Sequence, residues 1–201
     1  METIVETETI FRILLPLTIV TFVLHRGYYV KYHSKPAEAT IKQREEGILS
    51  RIAGLLGMVG FISMLAYVIN PTWLSFASLS FPEWLRWTGV GVTVIGFVLL
   101  QWAQAALANN WSDMPRIMKE QTLITHGPYR SIRHPIYTAF LMILGSTLLI
   151  SSNWLIGLCW TGMVTLEVFS RISFEESILL EYFGEQYHEY KKKTGRLLPK
   201  V

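Results

Sequence analysis

The sequence predicts an all-α, polytopic membrane protein with five transmembrane helices, the last two forming a hairpin that continues into a cytoplasmic C-terminal helical extension. Three observations predict this class. Of 201 residues, 51% are hydrophobic and only 16% are charged, whereas soluble domains carry roughly 25% charged residues. Uncharged segments recur at lengths that can cross a bilayer. Lys and Arg are concentrated between those segments, on one predicted side of the membrane.

The first span is predicted at Ile10 to Leu24, which is apolar except for Arg12 and follows the acidic residues 1–9. With its flanks it reaches the ~20 residues that cross a bilayer. A cleaved signal peptide is the alternative interpretation, but its positive leader and small-residue cleavage site are missing. We therefore expect a retained anchor. The basic segment 25–47 is expected on the membrane surface or in the cytoplasm.

Two more spans are predicted at Ile48–Ile69 and from Trp84 to about Ala108. Asn70-Pro71 is typical of a helix end and separates them. The second span also contains small residues that let helices approach closely in lipid, namely Ala53, Gly54, Gly57 and Gly60.

The last two spans are predicted within 31 uncharged residues, Ile136 to Leu166. A single helix of that length would measure about 46 Å at 1.5 Å per residue, against a hydrocarbon core of about 30 Å. Ser151-Ser152-Asn153 in its middle has the composition of a turn. We therefore expect two short arms, the second beginning at Trp154 and continuing beyond the membrane as a charged helix to about Lys193.

The distribution of positive charge predicts the orientation. All 18 Lys and Arg residues except Arg12 and Arg86 fall in segments 25–47 and 108–135, in the C-terminal segment or at adjacent helix ends. Positive residues favour the cytoplasmic side, so we expect the N-terminus outside and the C-terminus in the cytoplasm. The same asymmetry accounts for the basic composition without nucleic-acid binding.

Two polar segments on the predicted cytoplasmic side are candidates for chemistry. The first, GPYRSIRHPIY at 127–137, precedes a membrane-length apolar segment, where ionisable residues are costly unless they bind something. In the second, Glu167, Arg171 and Glu175 recur every four residues and share a helix face. Such a row is often a solvated ion-pair face. At the end of an apolar arm, however, the guanidinium is suited to bind a carboxylate or phosphate.

Several other chemistries find no support. The five histidines show no short paired spacing with Cys or carboxylates, so no metal site is predicted. The sequence also has no serine nucleophile elbow and no phosphate-binding glycine loop.

The segments QTLITHGPYRSIRHPIY and RISFEESILLEYFGEQYHEYKKKTGRLLP resemble the isoprenylcysteine carboxyl methyltransferase family. That family belongs to a broader group of membrane methyltransferases that includes phospholipid N-methyltransferases. The resemblance covers roughly Asn109 to Val201, and the first half matches only as a pattern of spans. It implies one structural unit with a three-span membrane region, 1–108, and a methyltransferase-like region, 109–201.

The resemblance implies an S-adenosylmethionine-dependent enzyme that methylates the carboxylate of a prenylcysteine-like lipidic acceptor at the membrane. Arg171 is expected to bind the acceptor and, with Glu175, to form the catalytic pair. Gln121 stands where family members often have histidine. The implied cofactor-binding residues are Gln121, Thr122, Leu123, Ile124, Tyr129, His134, Pro135, Ile136, Tyr137 and Glu175.

Alternative functions remain open at this point. A phospholipid or small-molecule N- or S-methyltransferase on the same scaffold would need a base for an amine acceptor, with Glu167, Glu175 or Glu176 as candidates. A sterol-reductase-like enzyme would use NADPH, but no additional phosphate-binding cluster is evident. A non-catalytic membrane scaffold is the remaining hypothesis.

Overall fold

The computed structural model describes residues 2–33, 47–107 and 122–200. These residues form seven α-helices and two short 3-10 segments, with no β-strand among them, which confirms the all-α prediction. The helices are α1 (Glu2–His33), α2 (Ile48–Ile69), α3 (Glu83–Leu107), α4 (Pro135–Gly145), α5 (Thr147–Ser151), α6 (Trp154–Phe183) and α7 (Glu185–Lys193).

Four of the described helices are long and apolar enough to cross a membrane, and they lie at Thr7–Tyr32, Ile48–Ile69, Glu83–Leu107 and Trp154–Phe183. Residues Pro135–Ser151, where a further span is predicted, are apolar but shorter. Large apolar side chains point outward, including Leu24 and Val98, which are 67% and 64% exposed. Contiguous surfaces of this kind are rare in water, and they fit an integral membrane protein.

Helix α1 is longer than its predicted span. The sequence suggests that the chain leaves the first span near Leu24, but the helix continues through His25 to His33. Gly27 is the weakest helix former in this stretch, and a single glycine costs a helix only about 1 kcal/mol relative to alanine. The second and third spans agree with α2 and α3 to within about one residue at each end.

The predicted hairpin turn is confirmed between α5 and α6. Ser152 adopts the left-handed conformation, φ +50°, and the side chain of Asn153 caps α6 by accepting from the amides of Leu155 and Ile156. The first arm has a break that the sequence does not reveal. The break is at Ser146, which lies between α4 and α5. The Ser146 hydroxyl is 2.6 Å from the hydroxyl of Thr93 on α3.

The prediction of an uninterrupted helix to Lys193 is wrong. Helix α6 ends at Phe183, and Gly184 has φ +53°, a conformation that glycine adopts without steric cost. The chain then starts a separate helix, α7, at Glu185. This break allows the C-terminal residues to return to the segment before α4.

A buried arginine joins the helices at the end opposite the C-terminal segment. Arg86 on α3 forms an ion pair with Glu8 of α1, and its guanidinium donates to the Ile150 carbonyl at 3.0 Å and to the Tyr67 hydroxyl at 2.9 Å. Arg12 donates to carbonyls at the end of α2 nearby. The two arginines that the charge pattern separates from the others therefore lie at the same end of the bundle.

The hairpin arms are in close contact at Gly157, and we expect Gly157→Ala to destabilise the protein. An added Cβ would lie 2.5 Å from the Leu148 Cβ and 2.7 Å from its Cα, so the arms must separate. Overpacking of this kind costs about 1–3 kcal/mol, which thermal unfolding in detergent would detect. Gly91→Ala is the matched control, because a Cβ there meets nothing within 4 Å. Equal melting temperatures for the two variants would contradict the close contact.

Candidate active site

The residues after α7 pair with the segment that precedes α4. The amide of Arg133 donates to the Gly195 carbonyl at 2.8 Å, and that of His134 donates to the Arg196 carbonyl at 3.1 Å. The Gly195 amide returns a 3.0 Å hydrogen bond to the Ser131 carbonyl. The two polar segments that the sequence presents separately are therefore joined by backbone hydrogen bonds.

A buried carboxylate, Glu176 on α6, lies at the centre of this joint. Its side chain is only 7% exposed, and Arg133 Nε and Arg196 Nη2 lie 3.1 and 3.0 Å from its oxygens. Lys191 Nζ lies at 3.3 Å and His134 Nε2 at 3.4 Å. Burying a carboxylate is costly unless it is paired and hydrogen-bonded, and these four groups provide the pairing.

The neighbouring carboxylate, Glu175, faces the start of α4 instead. The hydroxyl of Tyr137 donates to Glu175 Oε1, and His134 Nδ1 lies 3.6 Å from Oε2. The side chain of Glu175 is 22% exposed, whereas that of His134 is 6% exposed. The imidazole of His134 stacks on the Tyr137 ring with centroids 5.7 Å apart. Glu175 is therefore the more accessible of the two carboxylates.

His134 lies between both carboxylates. Burial alone lowers the pKa of its imidazole, but hydrogen bonds to Glu175 and Glu176, together with their charges, raise the pKa above its ordinary value of 6.5. Folding thus favours the imidazolium over the neutral ring. In its protonated form the ring would help to hold the two negative side chains together.

Arg171 lies one turn before Glu175 on α6. Its Nε is 3.2 Å from Glu167 Oε2, and the two side chains are 37% and 33% exposed. The predicted row of charges is thus confirmed for this pair, whereas Glu175 bonds to Tyr137. Partly exposed ion pairs contribute only about 0–1 kcal/mol, so the pair with Glu167 is a weak one.

The other predicted cofactor-binding residues lie before and at the start of α4. Pro135 is the first residue of α4, followed by half-buried Ile136. Tyr129 is buried, and its carbonyl accepts from the Tyr190 hydroxyl at 2.7 Å. The remaining residues precede the turn at Gly127: Thr122 is exposed, Leu123 and Ile124 are half-buried, and Gln121 lies outside the described residues.

Two buried polar groups near this segment have no hydrogen-bond partner among the described residues: the Tyr187 hydroxyl and the amide of Gln104. Tyr187 is close enough to Glu175 and Glu176 for their charges to act on it, and burial is the main cause that raises its pKa. Helices α3 and α4 run antiparallel, with Gly96 facing Met142 and Ile143. Two turns further along α3, the same register places Gln104 beside the segment that precedes α4.

Sequence reasoning missed the basic residues that hold Glu176 and a residue from the first half of the chain. The signal for the former was the pair of adjacent glutamates combined with basic residues in both motifs. The missed residue is Arg26 on α1, whose guanidinium carbon lies 5.9 Å from the centre of the Phe140 ring. Because segment 25–47 was expected outside the first helix, no pattern in the sequence linked Arg26 to α4.

We expect Glu176→Gln to destabilise the C-terminal segment. Glutamine removes the charge that pairs with Arg133, whose side chain is only 11% exposed. Breaking a buried ion pair costs about 3 kcal/mol or more. Thermal unfolding and amide hydrogen exchange at 194–197 would report the loss.

Glu189→Gln is the control, since that carboxylate pairs with Lys192 at 2.6 Å on the surface, where its side chain is 48% exposed. It should leave stability nearly unchanged, because solvent screens an exposed ion pair. Unchanged exchange at 194–197 in Glu176→Gln would contradict the role of Glu176.

Comparisons with known proteins identify similar proteins in one family. The profile of the isoprenylcysteine carboxyl methyltransferase family matches residues 89–181. A rice protein (Oryza sativa subsp. indica) described as "Probable protein-S-isoprenylcysteine O-methyltransferase" is 35% identical over 129 residues, covering 61% of this chain and 68% of its own. The protein-S-isoprenylcysteine O-methyltransferase of Tribolium castaneum is 32% identical over 126 residues, covering 62% of this chain and 45% of its own.

A solved structure agrees with the fold. The eukaryotic intramembrane Ras methyltransferase, an isoprenylcysteine carboxyl methyltransferase, superimposes with a TM-score of 0.58 at 27% identity. The match covers 79% of this chain and 55% of the solved chain, so this chain corresponds to little more than half of that enzyme. Together with the sequence matches, this agreement confirms the resemblance: the chain belongs to the isoprenylcysteine carboxyl methyltransferase family.

Proposed function

We propose that this protein transfers a methyl group from S-adenosylmethionine to the carboxylate of a prenylcysteine-like acceptor at the membrane. One observation carries the proposal. Helix α6 presents Arg171 and Glu175 one turn apart at the end of an apolar hairpin, and Glu175 is bonded to Tyr137 at the start of α4. A guanidinium for an anionic acceptor therefore lies next to the segment assigned to the cofactor.

The described residues fit the cofactor. The first backbone amides of a helix have no hydrogen-bond partner within it and favour an anion. The backbone N–H groups of Ile136 and Tyr137, at the start of α4, would therefore bind the cofactor carboxylate. Glu175 would accept from its hydroxyl or ammonium groups. The unpartnered Tyr187 hydroxyl and Gln104 amide would each gain a hydrogen bond, and leaving such a group unpaired costs about 1–3 kcal/mol.

When bound, the cofactor supplies an electrophilic methyl on a sulfonium: the acceptor oxygen forms the O–CH3 bond as the C–S bond breaks, leaving a neutral thioether. The contribution of the chain is to position the acceptor, because such displacements accelerate when the reacting atoms are held in line at short distance. Arg171 would bind the acceptor carboxylate through two N–H donors. Tyr137 and His134 would keep Glu175 in place.

The structure favours a carboxylate acceptor over an amine. A carboxylate is already ionised at neutral pH and needs no base. An amine acceptor would need one, and Glu176 is unsuitable because it is buried among four cationic or ionisable partners. The other two candidate bases are also engaged, since Glu175 accepts a hydrogen bond from Tyr137 and Glu167 is paired with Arg171. An amine acceptor would therefore compete with these contacts for its base.

The proposal includes the predicted topology. We assign Pro135–Ser151 as the fourth of five spans, with the N-terminus outside and the C-terminus in the cytoplasm. The common location of Arg12 and Arg86, at the end opposite the Glu176 cluster, supports this orientation. The three-span region 1–108 and the region 109–201 would form one unit, since α6 packs against α2 and α4 against α3.

A methylation assay on protein in lipid nanodiscs tests the function. We expect labelled methyl from S-adenosylmethionine to reach an S-farnesylcysteine analogue with a free carboxylate, and not phosphatidylethanolamine. Transfer to phosphatidylethanolamine alone would favour the phospholipid N-methyltransferase alternative. Binding of NADPH without binding of S-adenosylmethionine would refute any methyltransferase function.

Substitutions on α6 separate acceptor binding from cofactor binding. Arg171→Ala should lower kcat/KM by at least about 100-fold through the loss of a bidentate, charge-assisted contact, with cofactor affinity little changed. Glu175→Ala should weaken cofactor binding and turnover together. Titration calorimetry and initial rates measure the two effects, with Glu181→Ala, an exposed carboxylate on the same helix, as the control. Wild-type rates in Arg171→Ala would contradict its assignment.

A further inference from the structure

Helix α1 brings a second guanidinium to the side of α4 that carries Tyr137. Because α1 continues as a helix beyond Leu24, Phe22 and Arg26 lie one turn apart on the same face. The Phe22 ring meets the Phe140 ring edge-on, with centroids 5.0 Å apart and planes at 86°. The Arg26 guanidinium carbon lies 5.9 Å from the centre of the same Phe140 ring.

Phe140 connects this contact to the candidate site. It lies one turn after Tyr137 on α4, and the two ring centroids are 6.2 Å apart. The hydroxyl of Tyr137 donates to Glu175. Arg26 and Arg171 are both close enough to Tyr137 for their charges to act on that hydroxyl. Cations from α1 and α6 therefore converge on one side of α4.

The charges near Arg171 give a physical reason for a second cation at the site. An acceptor carboxylate that approaches Arg171 also meets two fixed carboxylates, Glu167 at 3.2 Å from Arg171 and Glu175 one turn away. A single guanidinium offsets only one of these repulsions, because each nearby carboxylate repels another anion. Arg26 adds a positive charge from a different helix.

An arginine at a membrane border also has a purely structural role, in which its stem lies along apolar surface and its head reaches water. Lys31 on the same helix is an example, since it is exposed and lies 5.1 Å from the ring centre of exposed Tyr32. Arg26 differs because it is half-buried and its aromatic neighbour belongs to the candidate site. A ring contacts the flat face of a guanidinium, whereas the N–H groups at its edge suit a carboxylate.

We propose that Arg26 is an acceptor-binding residue: together with Arg171 it binds the carboxylate of the lipidic acceptor, while Phe22 and Phe140 contact the apolar part next to that carboxylate. This inference rests on the proposed function and deepens it. It assigns the acceptor side of the site to the interface of α1 and α4. It also makes an anionic head group a requirement for binding, in addition to an apolar chain.

A matched pair of ligands tests the proposal, with KM measured for the acid as substrate and the inhibition constant measured for the amide. The probes are an S-farnesylcysteine analogue with a free carboxylate and its uncharged amide, each used against wild-type protein, Arg26→Gln and Lys31→Gln in nanodiscs. In Arg26→Gln we expect the KM of the acid to rise at least about tenfold, the loss expected for one charge-assisted hydrogen bond. The affinity for the amide and for S-adenosylmethionine should change less than about twofold. Lys31→Gln should resemble wild type because it removes the same charge from α1 away from Phe140.

Each other outcome has a defined meaning. Equal losses for the acid and the amide in Arg26→Gln, or equal losses in Lys31→Gln, would overturn the proposal in favour of a structural or general electrostatic role. If Arg26→Gln lowers the melting temperature, Arg26→Lys provides the second test. It retains the charge and should recover part of the preference for the acid, and a preference as weak as in Arg26→Gln would also overturn the proposal. Absence of methyl transfer in wild-type protein would refute the proposed function itself, before any variant is compared.

Discussion

The structure depends on one buried carboxylate and its partners. Glu176 lies on α6, Arg133 and His134 precede α4, and Lys191 and Arg196 come from the C-terminal segment. Three separate parts of the chain therefore meet at a single charge. A carboxylate in this position is stable only while its partners remain, so the network holds the C-terminal segment against α4 and gives the site its shape.

Two adjacent glutamates have different roles because successive residues of a helix point about 100° apart. Glu176 faces the C-terminal segment and is fully engaged there, whereas Glu175 faces Tyr137 and remains partly exposed. His134 contacts both of them. A rigid, charged support is thus placed directly behind the side chain that we assign to the cofactor, which is how a site gains precision without being buried itself.

Close helix contacts lie between the two polar ends of the molecule. Small residues bring α3 against α4, where a Cβ on Gly96 would lie 3.2 Å from the Met142 Cβ, and α2 against α6, where a Cβ on Gly60 would lie 3.1 Å from the Cys159 Cβ. The Arg86 network closes the opposite end. The family profile covers only residues 89–181, yet α1, which precedes it, packs Phe22 and Arg26 against Phe140.

The sequence by itself determined the helical class, the boundaries of two spans to within about a residue, and the turn at Ser151–Asn153, because apolar length and turn composition are local properties. Its two motifs also identified the family. Only the tertiary structure decided that α1 continues past Leu24, that Gly184 separates α6 from α7, and that Glu176 is buried while Glu175 is not. These features depend on contacts between residues far apart in the chain: Arg133 meets Glu176, and Arg26 meets Phe140. Spacing along a single helix carries no information about which distant partner will neutralise a charge.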